Sequence, residues 1–413
     1  MNRALIPIFL IVLVDVFGLT LVLPLQAIYA EKLGASPLQA TLLVSVFAVC
    51  QLIASPLLGS WSDRIGRKSV LLFSQVGAVF GYLAMASATS IWMIYVARVI
   101  QGTTAGNLSI AQAYIADHSE AKDRAKSFAI IGVAFGLGFF IGPAVTGILV
   151  RYGLAAPIFV AAGMSVLSLI CTLVLLPGGV NVRATPTDAV LPGGKRLSIL
   201  EWRAYLAYFE RPVLLAMLLQ FLFYSMCFAV FTSGFSLYAE RRYTYDGHPF
   251  SPREIGYMFA YSGFLGLILQ GGLIGRLVKR FGERGLVVSG FVSLVVGFAI
   301  IAGTNTISGL AVSATISAFG NAVLRPTLSS LISQSAARHE QGTVIGLTQS
   351  LQSVAQIVAP FLAGLLLERN LLWQWGAMAS LAALVGLLIA PYGSQRAASA
   401  AHELASDDKP SPR

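Results

Sequence analysis

Twelve runs of about 20 apolar residues, parted by short polar gaps, dominate this sequence. A helix of that length, rising about 1.5 Å per residue, matches the hydrocarbon thickness of a bilayer. The runs lie near 5–30, 38–59, 69–88, 91–116, 126–150 and 155–177, then near 212–239, 253–275, 286–304, 307–333, 342–367 and 371–393. Of 413 residues, 56% are hydrophobic and 11% charged, against roughly 25% charged in a soluble domain. Mean hydropathy is +0.76. Such a chain is neither an ordinary cytosolic protein nor a disordered one. It is expected to be an all-α, multi-pass membrane protein. The first run is too long for a cleavable signal, carries Asp15 mid-run, and lacks a small-residue cleavage site.

The net charge of +10 raises the question of nucleic acid, and the placement of the charges answers it. With the N-terminus cytoplasmic, twenty Lys and Arg residues fall on the inner side and six on the outer, with Arg98 and Arg325 inside spans. That asymmetry predicts that both termini are cytoplasmic, in a plasma (bacterial inner) membrane. The basic excess then reports topology and contact with anionic lipid, and no nucleic-acid partner is expected.

The longest gap, 178–211, divides the chain into an N-terminal six-helix bundle (1–177) and a C-terminal one (212–393). This cytoplasmic linker holds Leu197, Leu200, Trp202, Tyr205 and Phe209 beside Arg196, Arg203 and Glu210. The pattern suits either an amphipathic helix on the membrane surface or a plain linker. Residues 394–413 read as a disordered cytoplasmic tail. Cys50, Cys171 and Cys227 each sit in an apolar span, as small core residues do.

The two halves repeat. Gly59, Arg64, Gly66 and Arg67-Lys68 recur as Gly275, Arg280, Gly282 and Arg284. Ser36-Pro37-Leu38-Gln39 recurs as Ser251-Pro252-Arg253-Glu254, each a helix-start signature with Ser as N-cap. Pro143 and Gly147 match Pro360 and Gly364. Repeats in the same order and direction imply two pseudo-symmetric bundles, a cleft between them, and alternating access.

Asp15 is the acid that lies well inside a span, roughly 15 Å deep by helical rise. A lone carboxylate there carries a large desolvation cost, and such a group can load and release a proton as access alternates. The alternative is a permanent pairing with Arg98 or with backbone. Arg98 lies about 10 Å from the other surface, which leaves their contact open. Candidate cavity-lining residues are Gln51, Asn107, Gln112, Gln220, Tyr224, Tyr257, Tyr261, Asn321, Arg325, Gln349 and Gln352; each amide could equally bond a neighbouring helix. Arg325, beside Pro326, either attracts an anionic substrate or reaches toward the surface. No metal, nucleotide or catalytic constellation is present in the sequence, so transport must run on a gradient, without cofactor, and no enzyme activity is expected.

Four groups of residues resemble the major facilitator superfamily, most of all the drug/proton antiporter branch with twelve spans, of the tetracycline-resistance type. The first is the loop Gly59, Asp63, Arg64, Gly66, Arg67 and Lys68, with Arg124; the resemblance implies a latch for the outward-facing state. The second is Arg98-Val-Ile-Gln101-Gly102, whose arginine the resemblance ties to proton coupling. The third is Gly132, Gly136, Gly138, Gly142, Pro143 and Gly147, a helix-packing seal between the halves, with Thr146 at a position usually Gly. The fourth is Asp15-Val-Phe-Gly18 with Pro24, where Thr20 and Ala27 depart from the usual Gly and Pro. The acid that tetracycline transporters carry in the third span falls at Gly81 here, which disfavours tetracycline as substrate. The resemblance therefore implies a monomeric secondary transporter that exports an amphipathic small molecule or drug in exchange for protons. A proton-coupled importer of an organic anion, using Arg98 and Arg325, is the alternative, followed by a non-transporting scaffold or sensor.

Overall fold

The computed structural model describes residues 6–117, 124–176, 208–335 and 341–407. The first half contains α1 Ile6–Val22, α2 Gln26–Lys32, α3 Pro37–Ile65, α4 Arg67–Ala86, α5 Ile91–Thr103, α6 Asn107–Asp117, α7 Arg124–Leu149 and α8 Ala156–Leu175. The second contains α9 Pro212–Arg242, a short hairpin (β1 Thr244–Tyr245, β2 His248–Pro249), α10 Pro252–Ile268, a π-helical turn Leu269–Leu273, α11 Ile274–Gly303, α12 Ile307–Gln334, α13 Gln341–Glu368 and α14 Leu372–Asp407. Of the linker, Tyr208 and Phe209 are helical, while the rest of the expected amphipathic stretch lies outside the described residues.

Among the described residues, nine helical runs are long and apolar enough to cross a bilayer. Three further features make the spans twelve. α1 and α2 form one span, bent by 42° around Pro24. Pro252–Gly303 is two spans that meet at Gly282. α5 and α6 are two halves of one span, interrupted at Thr104, Ala105 and Gly106. The Thr104 hydroxyl turns back to the Ile100 carbonyl at 2.8 Å, and its side chain fills the space beside Gly77 of α4. The break is therefore packed into the neighbouring helix.

The repeat survives in atomic detail. Ser36 with Gln39 and Ser251 with Glu254 both form complete capping boxes. Gly66 and Gly282 both take positive φ, 96° and 70°, a conformation that L side chains adopt at a cost. Each ends one span and starts the next. Gly147 packs on Arg253 and Tyr257 at the start of α10, and Gly364 packs on Leu38 and Thr41 at the start of α3. The glycine of each bundle thus receives the capped helix start of the other.

The bundles touch along half of their length. On the side remote from Gly66, Arg241 pairs with Glu31 at 2.7 Å. Ser236 donates to the Pro24 carbonyl at 2.6 Å, and Ser45 to that of Ile357 at 2.8 Å. α7 meets α10 through Pro143 with Gly256, Phe139 with Gly263, and Gly136 with Leu267. Toward the Gly66 side the contacts end: no atom lies within 4 Å of the Cβ position at Gly132, Gly271, Gly272, Gly275 or Gly346. The contact between α7 and α10 ends near Gly136, and we infer that the space beyond it is a cleft between the bundles.

The tail departs from expectation. α14 runs on to Asp407, through residues read as disordered from 394 onward. Ala397, Ala398, Ala400, Ala401 and Ala405 explain the difference, since alanine is the strongest helix former.

Candidate functional site

Asp15 lies partly buried on α1. Gly18, one turn on, lets α1 settle on Ala161, Met164 and Ser165 of α8, and this antiparallel contact brings Ser168 to the carboxyl. Asp15 Oδ2 accepts from Asn107 Nδ2 at 2.8 Å, and the Ser168 hydroxyl of α8 lies close to the carboxyl. Asn107 is the first residue of α6, so the interrupted fourth span is what delivers the amide. Behind Ser168, Gln75 Nε2 donates to Ser168 Oγ at 2.7 Å and to Thr172 Oγ1 at 2.8 Å. Gln75, Ser168 and Thr172 are fully buried. With its oxygen already accepting from Gln75, Ser168 has its own hydrogen free for Asp15. No cation forms an ion pair with Asp15 among the described residues. The carboxyl is held by neutral donors, which can serve it in either protonation state.

Arg98 is buried, 5% exposed. Its guanidinium donates to Gln101 Oε1 at 2.8 Å, to Gln26 Oε1, and to Met85 Sδ at 3.9 Å, and Nε has no partner. The permanent Asp15–Arg98 pair considered from the sequence is absent. Arg98 instead bonds glutamines of the first and fourth spans. Gln101 also fills the space beside Gly81, where an added Cβ would collide with it; a carboxylate at Gly81 has no room in this conformation.

The polar residues expected in the cavity divide into three groups. Asn107 bonds Asp15 within the first bundle, while Arg325 and Gln352 are brought to the inter-bundle region: Arg325 Nη2 donates to Gln352 Oε1 at 3.5 Å, and the guanidinium stands 5.5 Å from the Phe135 ring of the other bundle. Gln51, Gln112, Asn321 and Gln349 are partly buried, and the Asn321 oxygen has no partner. The remaining four are placed as follows. Gln220 and Tyr224 are buried in the second bundle, where Tyr224 meets Phe221 edge-on. Tyr257 and Tyr261 fall on an exposed stripe of α10 with Phe264 and Ile268. Tyr257 and Phe264 also pack across the seam between the bundles, on Gly147 and Phe140 of α7. Tyr257 stacks under Arg253, and Tyr261 bonds Thr315 at 2.7 Å.

The loop around Gly66 bonds only to its own bundle among the contacts described. Arg67 pairs with Asp63 and with Ser62, both at 2.6 Å. Lys68 Nζ donates to the carbonyls of Leu173 and Leu176 at 2.8 and 2.6 Å, which ties the third span to the end of the sixth. Arg64 is exposed, and Gly59 faces open space rather than a close helix. The Arg124 side chain lies outside the described residues. In the second bundle Glu283 accepts from Ser330 at 2.7 Å and from Gln334 at 3.2 Å.

The glycine series of α7 serves two partners. Gly138 and Gly142 receive Val16 and Thr20 of α1, while Gly136, Pro143 and Gly147 meet α10. Gly132 meets neither, because it lies beyond the apex. The two threonines that depart from the resembled pattern cross-link α1 and α7: Thr20 Oγ1 donates to Gly138 O at 2.8 Å, and Thr146 Oγ1 to Leu21 O at 2.6 Å.

This geometry, a bent first span, capped repeats and a cleft between two bundles, coincides with a profile match over residues 8–271 and 243–412 to the Major Facilitator Superfamily. The chain belongs to that superfamily. It is 27% identical over 401 residues to the class D tetracycline resistance protein of Salmonella ordonez, covering 94% of this chain and 96% of that one. It is 26% identical over 374 residues to multidrug resistance protein 2 of Bacillus subtilis (strain 168), covering 88% and 90%. Its fold is similar to that of the human organic anion transporter MFSD10 (TETRAN), with TM-score 0.69 at 24% identity, over 94% of this chain and 99% of that one. The protein is thus a multi-pass transporter of the superfamily with two six-helix bundles. Sequence reasoning missed Gln26, Gln75, Ser168 and Phe135. Gln26 and Gln75 carried the same signal as Gln51, an amide inside an apolar run; Ser168 and Phe135 carried none.

Proposed function

We propose that the protein exports an amphipathic small molecule in exchange for protons, by alternating access, with Asp15 as the proton carrier and the proton gradient as the energy source. The observation that carries this reading is a mid-span carboxyl bonded by the neutral amide of Asn107, with no paired cation among the described residues. An ion pair would hold the carboxylate charged throughout the cycle; neutral donors leave it free to change state. The tetracycline and multidrug resistance relatives support efflux.

With the termini and the Gly66 loop on the cytoplasmic side, as the charge asymmetry argues, the described state faces inward. Asp15 then releases its proton inward while substrate enters the cleft. Closure of the Gly66 side and opening of the other releases substrate outward, and Asp15 reloads there. Protonation removes the cost of carrying a bare carboxylate through the closed intermediate. The transporter works in a plasma membrane, as a monomer, without cofactor, metal or nucleic acid, and catalyses no reaction.

The test is substrate-linked proton movement in proteoliposomes under an imposed pH gradient. Asp15→Asn is expected to abolish it while leaving substrate exchange intact; undiminished proton coupling in that variant removes Asp15 from the mechanism. A second reading, proton-coupled import of an organic anion, draws on the Arg325 charge. Flux in everted against right-side-out vesicles separates the two.

A further inference from the structure

Arg325 stands where the cleft ends. Phe135 immediately precedes Gly136, whose Cβ position meets Leu267 at 3.2 Å, whereas at Gly132, one turn nearer the opening, nothing lies within 4 Å. The guanidinium over Phe135 is therefore at the apex, bridging α12 of one bundle and α7 of the other. It is partly exposed. Among the described residues no carboxylate lies within ion-pair distance of it, and its single hydrogen bond, to Gln352 Oε1, is a long one at 3.5 Å. Most of its five donors are free. A guanidinium in a low-dielectric cleft without a counter-ion costs free energy that an anion would relieve, and its planar fork fits a carboxylate.

The surroundings specify the rest of the ligand. Phe135 stacks on Phe139 at 6.4 Å between ring centroids, and Phe139 meets Phe228 of the second bundle at 6.1 Å. A flat apolar body thus has an aromatic wall beside the cation. The Gln352 amide can turn to offer its N–H to the second carboxylate oxygen once Arg325 no longer donates to it.

We propose that Arg325, Gln352 and Phe135 form a subsite for the carboxylate of an amphipathic aromatic acid. Arg325 holds the head, Gln352 supplies a second donor, and the Phe135 ring supports the body. This deepens the transport reading and rests on the cleft being the substrate path. It does not depend on Asp15 or on the direction of flux. Arg98 has no part in it, because its head is buried within the first bundle.

The test is equilibrium binding to the purified full chain in detergent, without any gradient, using 2-naphthoate and its uncharged isostere 2-naphthamide. Wild type is expected to bind naphthoate saturably and more tightly than the amide. Arg325→Gln is expected to weaken naphthoate about tenfold or more, the scale of one charge-assisted bond, and to weaken naphthamide by a much smaller factor. Retained saturable amide binding and a monodisperse elution profile show that the variant is folded. Phe135→Leu keeps the charge and should weaken both probes by the same factor. No naphthoate binding to wild type, equal affinity for acid and amide, or equal naphthoate affinity in Arg325→Gln and wild type each overturns the proposal. Since the readout involves no proton movement, its failure is distinct from a failure of the Asp15 experiment.

Discussion

Asn107 reaches Asp15 across 2.8 Å only because the fourth span stops at Thr103 and restarts at Asn107. An unbroken helix would hold that amide at a different angle. The site is thus a product of a discontinuity, and the packing that fixes it extends through Ser168 to Gln75.

Gln75→Leu removes the amide that anchors Ser168 and Thr172. Loss of two buried bonds should lower stability by about 1–3 kcal/mol, read as a fall in melting temperature in detergent. The pH profile of transport should move as well, because Ser168 loses the bond that aims its hydroxyl. Thr172→Val cuts the other arm and should leave the profile in place. Identical profiles for both variants and wild type would refute a link between Gln75 and Asp15.

The Glu31–Arg241 pair closes the face remote from Gly66, with side chains 20% and 24% exposed. Glu31→Gln should release about 0.5–1 kcal/mol, a roughly two- to fivefold rise in the population open on that face. Maleimide labelling of Thr41→Cys, in a background lacking Cys50, Cys171 and Cys227, reads that opening. The charge swap Glu31→Arg with Arg241→Glu should bring labelling back down.

Gly263 lies against the Phe139 carbonyl in the described state. Gly263→Val has no space there, so the contact between α7 and α10 must loosen. The same labelling assay should report a several-fold increase, larger than for Glu31→Gln. Labelling at the wild-type rate would mean that this seam does not control closure.

Thr20 and Thr146 tie α1 to α7 by separate hydroxyl-to-carbonyl bonds. Replacing either by Val keeps the shape and deletes one inter-helix bond, at a cost of about 0.6 kcal/mol and at most ~1.7. Unfolding titrations of the two single variants and the double variant measure both terms. A loss well above that range would point to repacking of the α1–α7 contact.

Much of this architecture could be read in the sequence because its signals are local. Twenty-residue apolar runs report spans, and Ser36 with Gln39 or Ser251 with Glu254 reports a helix start within four residues. Asp15 was visible as one acid in an apolar run. The facing of the amides was not. In a bilayer both the lipid face and the core face of a helix are apolar, so no periodic pattern tells which way a side chain points. The burial of Gln220 and Tyr224 inside the second bundle is illegible for that reason. The break at Thr104, Ala105 and Gly106 contains no proline, so nothing local announces it; the cause is Thr104 seated beside Gly77, a contact between two helices. Ser168 stayed hidden likewise, since its role exists only once α8 lies against Gly18.

The buried Arg98 has a bearing on leakage. A guanidinium with no ion-pair partner among the described residues, lodged in the half of the first bundle remote from Gly66, raises the electrostatic barrier to hydronium along any wet thread through that bundle. A machine driven by a proton gradient wastes that gradient if protons slip past uncoupled. Two glutamine oxygens solvate the cation without neutralising it, so the bundle keeps a standing positive charge that, under the proposed proton coupling, opposes such slip.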